Sequence, residues 1–270
     1  MITYQAAGMT DRGLKRPSNE DALFLDDRNG LFVVADGMGG HNAGEIASRM
    51  VVECLMHAVQ GQVSGDSDAD DGLAEKGLSR QAIQLSAWIR ESNRLVHEAA
   101  QKHPAYNGMG ATIAAVRIEG NHVAVANVGD SPIYLFHRNR IETLSMMHNV
   151  ATEYHGHYPD AESEITQRYG GLLTRAIGMA ETTTPHLCDA YVYPNDRIVL
   201  CSDGLSDLVE AEEIRDRAMH ASPLDCCSQL VALANERGGI DNISVIVIRM
   251  RRLPMFFHRL FRLGFRRTSK

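Results

Sequence analysis

Four aspartates border strongly apolar segments, and this pattern limits the possible folds more than any other feature of the chain. Asp36 ends the segment LFVVA, Asp203 ends RIVLCS, Asp130 follows HVAVANVG, and Asp241 precedes ISVIVI. Short apolar runs rich in β-branched residues predict buried strands. A carboxylate at the end of a buried strand is held on a rigid element at the edge of the core. The four side chains would therefore converge if these strand ends share one side of the sheets.

Such a convergence would need a counter-charge. Carboxylates packed close together repel one another and raise each other's pKa, and hard divalent cations relieve this repulsion. Oxygen ligands suit magnesium or manganese better than zinc. For any single one of these residues, an ordinary role in a turn next to glycine is the simpler interpretation. For the four together we favour a metal site.

The remaining periodicity predicts more strands than helices, and the helices come in two pairs. Helical patterns occur near 43–59, 79–102, 210–220 and 223–237, and strand patterns at 2–9, 22–26, 31–35, 186–193 and in ATIAAVRI, HVAVANV, PIYLFH and IETLS. We interpret these last four segments as an antiparallel meander and residues 147–170 as an irregular flap. Two packed sheet faces, each covered outside by helices, would use both pairs. The predicted fold class is therefore α+β, a four-layer α/β/β/α sandwich.

Two loops contain further candidate residues. In the segment RPSNED, Arg16 offers a planar fork for a phosphoryl group, and Glu20 could hold metal-bound water. An ordinary Arg–Glu pair on the surface of a turn is the alternative. The segment DGMGGHNAGE, residues 36–45, has three glycines in four positions, which lets the backbone approach a ligand closely. It matches neither the P-loop nor the dinucleotide-binding pattern.

Composition argues against several classes of protein. The chain carries a net charge of −7 and has no stripe of aromatic and basic residues, so we expect no nucleic-acid binding. Five scattered cysteines without a Cys-x-x-Cys spacing indicate neither a disulfide framework nor a zinc site. The N-terminal segment does not resemble a signal peptide, and no apolar run is long enough to span a bilayer. We expect a cytoplasmic monomer.

The C-terminal segment changes character abruptly. Residues 251–270 contain six arginines, one lysine and no acid, so the domain that we expect over residues 1–250 would carry −14. Leucines and phenylalanines alternate with the basic residues, as in amphipathic segments that lie on anionic membranes or dock on a partner protein. A tail on lipid would place the protein peripheral to the inner membrane. A disordered tail, or one that folds back on the acidic domain, is the alternative.

Several segments in this order resemble the metal-dependent protein phosphatase family, also called protein phosphatase type 2C, in its bacterial branch. They extend from about residue 2 to 250 and comprise RPSNED, VVADGMGGHNAGEIAS, GATIAAV, NVGDSPIYLF, LLTRAIG, RIVLCSDGLSDL and GIDNISVIVI. The resemblance implies a central antiparallel β-sandwich flanked by helix pairs. It also implies a serine/threonine phosphatase that acts on phosphorylated proteins and opposes a serine/threonine kinase.

The resemblance further assigns roles to individual residues. It implies two to three Mn²⁺ or Mg²⁺ ions, with Asp36 bridging two of them, the Gly37 carbonyl on one, and Asp203 and Asp241 on the other. Glu20 would bind through water. The remaining implied roles are a third, weaker metal site at Asp130, Asp203 and Asp207, phosphate binding by Arg16, and structural or supporting positions at Asn242 and Thr112. A hydroxide bridging two cations would attack phosphorus in line, without a covalent intermediate.

Two departures from the family pattern leave questions of mechanism open. Animal relatives carry a histidine directly after the Asp-Gly pair, where this chain has Met38, so we expect metal-bound water rather than His41 to protonate the leaving group. The flap is divergent, and His155 and His157 are interpreted as solvated loop residues. A phosphoprotein-binding pseudophosphatase and a hydrolase of small phosphoesters remain alternatives.

Overall fold

The structure, a computed structural model, describes residues 2–39, 43–62, 77–157 and 164–252. Its strands are β1 Ile2–Asp11, β2 Asp21–Asp26, β3 Leu31–Met38, β4 Gly110–Ala111, β5 Ile113–Glu119, β6 His122–Val128, β7 Ile133–His137, β8 Arg140–Thr143, β9 His186–Tyr191, β10 Arg197–Cys201 and β11 Ile243–Arg252. Its helices are α1 Ala43–Val59, α2 Arg80–Lys102, α3 Val150–His157, α4 Glu164–Tyr169, α5 Asp203–Ser206, α6 Ala211–His220 and α7 Pro223–Glu236. A 3-10 turn covers Pro104–Tyr106.

The described strands form two antiparallel sheets. The first sheet has the order β1-β11-β10-β7-β8, and the second has the order β2-β3-β5-β6-β9 with β4 paired to β3. Helices α1 and α2 pack on the outer face of the second sheet, and α6 and α7 pack on the outer face of the first. The predicted four-layer α/β/β/α sandwich is confirmed.

Both faces of the central strands are buried, which explains why they read as continuous apolar runs. In β11, Ile246 and Ile248 point into the core between the sheets, where they meet Phe32 and Leu200. The intervening residue Val247 belongs to the cluster under α6 and α7. Strand β11 lies between β1 and β10, so it forms the centre of the first sheet and fixes the position of the residues at its two ends.

The predicted meander is wrong. Strand β6 pairs with β5 and β9, whereas β7 pairs with β8 and β10 in the other sheet. The connection between β6 and β7 turns at Gly129, which adopts φ +103°, a conformation that glycine tolerates best. Pro132, just before β7, cannot donate a backbone hydrogen bond that would continue the hairpin pattern. The chain therefore crosses from one sheet to the other at this loop.

The predicted irregular flap is also wrong in part. Helices α3 and α4 lie within residues 147–170, of which 158–163 are outside the described residues. The Asn149 side chain accepts a hydrogen bond from Thr152 N at 2.9 Å, which caps the start of α3. The described side chains of α3 are half-buried or exposed, so short helices form here without an apolar stripe that would reveal them in the sequence.

Strand β11 continues past the predicted domain boundary, since Arg251 and Arg252 pair with Thr3 and Ile2. Residues 253–270, which hold most of the predicted tail, lie outside the described residues. Among the described helices, none combines the length and the apolar character that a bilayer crossing requires.

Packing between the sheets predicts a stability effect that depends on position. Ile246 is fully buried, whereas Ile240, just before β11, is 52% exposed. We expect Ile246→Ala to lower the free energy of unfolding by about 2–5 kcal/mol, because it removes buried methyl groups and leaves a cavity. The matched substitution Ile240→Ala should change it by less than about 0.5 kcal/mol. Urea unfolding of both variants measures this, and equal effects would contradict the assigned core.

Candidate functional site

The strand ends that carry the four aspartates lie at one end of the sandwich. Asp203 follows β10 and Asp241 precedes β11, and these neighbouring antiparallel strands bring the two residues to the same edge. Asp130 precedes β7, and β7 pairs with the edge of β10 that faces away from β11. Asp36 lies near the end of β3 in the second sheet. The convergence expected from the sequence therefore follows from the topology.

These residues line a cavity of about 190 Å³. Its charged lining residues are Arg16, Glu20, Asp36, Asp130, Asp203 and Asp241, and its other lining residues are Gly37, Met38, Gly39, Thr112, Leu173 and Asn242. Of the site residues predicted from the sequence, only Asp207 does not line the cavity. Asp207 comes directly after the short helix α5, and its backbone N donates to Asp203 O at 2.8 Å.

Thr112 fixes the position of Asp36. Its hydroxyl accepts a hydrogen bond from Asp36 N at 3.2 Å, and its own N donates to Asp36 O at 2.8 Å. The same hydroxyl lies 2.7 Å from Ser131 Oγ, next to Asp130 in the loop between the sheets. One buried threonine thus connects two of the acidic residues.

Asn242 fixes the loop that carries Arg16 and Glu20. Its amide donates to Arg12 O at 2.8 Å and to Ser18 O at 2.9 Å, and its side-chain oxygen accepts from Glu20 N at 2.8 Å. These three hydrogen bonds join the N-terminal loop to the residue that follows Asp241. The role that the sequence suggested for Asn242, structural rather than direct, agrees with these contacts.

Two glycines let the second sheet approach helix α1 at the cavity. A Cβ at Gly37 would lie 2.1 Å from Gly44 O, and a Cβ at Gly44 would lie 2.8 Å from the carbonyl carbon of Gly37. The same Cβ on Gly44 would lie 2.1 Å from Glu20 Oε2. The glycines at these two positions are therefore required by close packing, which keeps the Gly37 backbone and the Glu20 carboxylate at the cavity wall.

Burial and mutual repulsion dominate the electrostatics of the cavity. Burial, and then the charges of Asp21 and Asp203, raise the pKa of Asp36 well above its usual range. Burial is also the main cause that raises the pKa of Asp203 and the pKa of Glu20. For Asp130, burial and the charge of Asp203 raise the pKa to about 7. The protein holds these groups where negative charge is unfavourable without a nearby cation.

Among the described residues that line the cavity, Arg16 is the one with a cationic side chain. Its Nη2 donates to Asp241 Oδ2 at 2.6 Å. The hydrogen bond to Asp241 raises the pKa of Arg16, although burial opposes this. The Arg16 side chain is 54% exposed, so it stands at the mouth of the cavity and can turn toward a bound anion.

The donor atoms fit hard divalent cations. All the charged candidate ligands are carboxylates, and the buried oxygens Asp203 Oδ1 and Asp21 Oδ1 have no hydrogen-bond partner. Buried polar atoms rarely remain unpaired unless an ion or water completes them. Among the described residues, no three His, Cys, Asp or Glu side chains lie close enough together to hold an ion by themselves. Water would therefore complete the coordination, which is usual for magnesium.

Sequence analysis missed Asp21 as part of the acidic group. It is buried opposite Asp36 in the β2–β3 ladder and accepts a hydrogen bond from Ser202 Oγ at 2.9 Å. Burial raises its pKa to about 6. Its position as the last residue of RPSNED and the first residue of β2 was the available signal. The contribution of Leu173 from the flap region was not predicted either. His41, the alternative acid, lies outside the described residues.

Comparison with known proteins agrees with this arrangement. Residues 15–232 match the family described as protein phosphatase 2C. The chain belongs to the protein phosphatase 2C family. It is 32% identical over 251 residues to the serine/threonine protein phosphatase PstP of Mycobacterium tuberculosis, covering 91% of this chain and 45% of PstP. It thus spans about half the length of that relative.

Other members of the protein phosphatase 2C family match over nearly their whole length. The protein phosphatase PhpP of Streptococcus pneumoniae is 32% identical over 249 residues, which is 90% of this chain and 96% of PhpP. A crystal structure of the catalytic domain of PstP in complex with two manganese ions superposes with a TM-score of 0.78 at 29% identity, covering 93% of this chain and all of that domain.

The raised pKa of Asp130 predicts how stability depends on pH in a metal-chelating buffer. An unfolded aspartate titrates near pH 4 (about 3.9), whereas burial raises the pKa of folded Asp130 to about 7. The folded state then binds a proton more tightly, so the contribution of Asp130 to stability is greatest below about pH 4 and falls as the pH rises to about 7. We expect Asp130→Asn to be more stable than the wild type at pH 8 and to lose this advantage near pH 4.

Thermal melts in EDTA at several pH values measure the difference. The substitution Asp216→Asn, on the exposed surface of α6, is the matched control and should leave the pH dependence unchanged. A constant difference in Tm between Asp130→Asn and the wild type across this range would show that Asp130 is not buried as described.

Proposed function

We propose that this chain is a serine/threonine protein phosphatase that hydrolyses phosphoserine and phosphothreonine on proteins and opposes a serine/threonine kinase. The observation that carries the proposal is the cavity at the sandwich edge, which five carboxylates line together with one exposed arginine. Membership in the protein phosphatase 2C family supports it. So do the names of the relatives PstP and PhpP, a serine/threonine protein phosphatase and a protein phosphatase.

The cofactors in this proposal are two to three Mn²⁺ or Mg²⁺ ions. Asp36, the Gly37 carbonyl, Asp203 and Asp241 would hold two of them, with Glu20 acting through water, and Asp130 with Asp203 and Asp207 would hold a third. The manganese ions in the PstP crystal structure support this choice. When bound, such ions supply positive charge that stabilises phosphoryl oxygens and lowers the pKa of a coordinated water.

Arg16 would bind and orient the phosphoryl group. Its guanidinium offers two parallel N–H donors that match two oxygens of a phosphate, and it is exposed at the cavity mouth. The contact with Asp241 holds the side chain next to the carboxylates until a substrate arrives. Asn242 keeps the loop in place through three hydrogen bonds, so Arg16 reaches the cavity from a fixed backbone.

Protonation of the leaving alcohol would fall to water. Met38 occupies the position after Asp-Gly, and no histidine lines the cavity within the described ranges. The carboxylates of Asp130, Asp203 and Asp36 would be occupied as cation ligands, so water remains as the proton donor. The proposed reaction needs only a phosphoester and water as reactants.

The unit that performs this reaction would comprise residues 1–250, with residues 147–170 as a flap next to the cavity and residues 251–270 as a separate basic tail. Leu173, just after the flap, reaches the cavity lining. We propose that the protein acts as a cytoplasmic monomer that binds phosphorylated proteins and no nucleic acid. The tail would contact a membrane surface or a protein partner.

Metal dependence and the role of the aspartates can be tested together. We expect manganese-dependent hydrolysis of p-nitrophenyl phosphate and of a phosphothreonine peptide. Asp36→Asn and Asp203→Asn should lower kcat by at least about 100-fold, because each removes a charge that would hold a cation at the reacting phosphate. Asp216→Asn on α6 is the matched control and should retain full activity. Undiminished turnover by Asp36→Asn, or turnover in EDTA, would refute the proposed mechanism.

Binding of the phosphoryl group by Arg16 predicts a different kinetic pattern. Arg16→Ala should lower kcat/KM for a phosphopeptide by about tenfold or more, mainly through a higher KM, because a charge-assisted hydrogen bond to the substrate is lost. Lys15→Ala removes an exposed neighbouring charge and serves as the control. Steady-state kinetics at saturating Mn²⁺ separate KM from kcat. An unchanged KM in Arg16→Ala would exclude this role.

A further inference from the structure

The end of the sandwich opposite the cavity has a different charge. Strand β11 starts next to Asp241 at the cavity and ends at Arg252. Its ten residues span about 30 Å at 3.3 Å per residue. In the first sheet, the far end of β11 lies at the same level as the far end of β7 and the starts of β10 and β8. This follows from the register of the strands, in which Arg249 pairs with Arg197, Arg197 with Phe136, and His137 with Arg140.

Four exposed arginines gather at this far end. Arg138 and Arg140 lie at the β7–β8 turn, and Arg251 and Arg252 end β11. No carboxylate in the described part of the chain lies within ion-pair distance of any of them. Exposed acids also lie at this end of the sandwich, Glu142 on β8 and Glu119 at the β5–β6 turn, but neither forms an ion pair with these arginines, whose positive charge therefore remains unpaired.

The nearest buried carboxylate is already occupied. Asp196 Oδ1 lies 2.7 Å from His137 Nδ1, and Asp196 Oδ2 accepts from Tyr193 N at 2.8 Å. Both oxygens are therefore used by neutral or titratable partners rather than by arginine. Asp26 and Asp27, at the β2–β3 turn of the second sheet, also lie at this end, and there Asp26 accepts hydrogen bonds from Asn29 and from Arg28 N rather than from these arginines.

A buried arginine adds to the same cluster. Arg197 donates to the carbonyl oxygens of Ala218, Asn195 and Asp196 instead of to a carboxylate. Burial, and after it the positive charge of Arg249, lowers its pKa to about 10, and Arg251 acts in the same direction. Like charges so close together repel each other, and an external anionic surface would relieve that repulsion.

Two exposed tyrosines lie at the same end of the fold as the arginines. Tyr191 ends β9 and is 63% exposed, and Tyr193, in the link to β10, is 54% exposed. His137 packs edge-on against the Tyr193 ring at a centroid distance of 5.4 Å. Tyrosine next to arginine is the composition found at membrane–water interfaces, where the ring lies at the level of the headgroups and the cation contacts phosphate.

The chain outside the described residues continues from this same place. After Arg252 come residues 253–270, which contain four arginines, one lysine and seven leucine or phenylalanine residues without any acid. This composition is typical of a segment that lies in the interface of an anionic membrane. The folded end and the sequence that follows it therefore both combine arginines with aromatic or apolar side chains.

We propose that this end of the fold, which we call the arginine pole and define by Arg138, Arg140, Arg251, Arg252, Tyr191 and Tyr193, docks on an anionic lipid surface. The basic, apolar tail extends that contact. Docking by the arginine pole directs the acidic cavity away from the bilayer, about 30 Å along β11, toward proteins in the surrounding solution. Repulsion between the acidic domain and anionic lipid favours the same orientation.

Vesicle sedimentation of the full chain tests the arginine pole. We expect binding to vesicles of phosphatidylcholine with phosphatidylglycerol, little binding to phosphatidylcholine alone, and release when salt is raised from about 0.1 M to about 0.5 M. Arg138→Glu/Arg140→Glu, with the tail intact, should lower the partition coefficient on anionic vesicles at least about tenfold. Arg90→Glu/Arg94→Glu on the side of α2 makes the same change in charge away from the pole and should bind like the wild type.

Thermal melts must first show that both double variants fold. Equal binding by Arg138→Glu/Arg140→Glu and the wild type would assign any membrane contact to the tail alone and overturn the proposal. Equal sedimentation with neutral and anionic vesicles would overturn it as well. Retention on immobilised polyglutamate without any sedimentation by anionic vesicles would identify an acidic protein partner instead of lipid. None of these outcomes depends on phosphatase activity.

Discussion

Repulsion among buried carboxylates is the constraint around which this fold is organised. Burial raises the pKa values of Asp21, Asp36 and Asp203, and the charge of Asp203 raises those of Asp21 and Asp36 further. A compact protein can hold such a group only if rigid elements fix every member. Here the elements are strands buried on both faces, and Ser202, Thr112 and Asn242 hold the backbone and side chains around the acids through hydrogen bonds. The repulsion lowers the stability of the metal-free fold at this edge. A cation that fits relieves the repulsion, and this gain in stability favours cation binding.

The same constraint explains the glycines around the cavity. Gly204 follows Asp203, and a Cβ there would lie 2.0 Å from Asn242 O. Together with Gly37 and Gly44 it allows backbone segments to approach closely at two places around the cavity, where side chains would otherwise separate them. Close backbone contact keeps the carboxylates within one small cavity although they come from both sheets. The arginine pole has no comparable packing requirement, and its charged side chains extend from strand ends and a turn.

Much of the site was predictable because it depends on strand ends. The apolar runs before Asp36 and Asp203 and after Asp241 identified buried strands, and buried strands fix where their ends lie. The crossing between β6 and β7 was not predictable in this way, because two neighbouring hairpins and a meander share the same local signals. The turn at Gly129 can only be understood once Thr112 is seen packed against it.

Other features were hidden for different reasons. Asp21 is separated from Asp36 by a hairpin, and its burial follows from the β2–β3 register rather than from its neighbours in sequence. Helices α3 and α4 are short, and the described side chains of α3 form no buried stripe, so periodicity does not reveal these helices. The arginine pole joins residues at the ends of β7, β8 and β11 that share no sequence motif. In the sequence, only the basic tail after Arg252 indicated that positive charge collects near the end of β11.

The pairing of β1 with β11 has a consequence for how the protein is made. The first strand and the last strand lie side by side, with Ile2 opposite Arg252. During synthesis at about 5–20 residues per second, β1 emerges before the other described strands and waits for its partner β11, the last of them. Asp241 and the centre of the first sheet arrive at the same late stage. The second sheet, with α1 and α2 against it, has every described strand before residue 192 and can collapse first, so the cavity is completed only when β11 joins the first sheet.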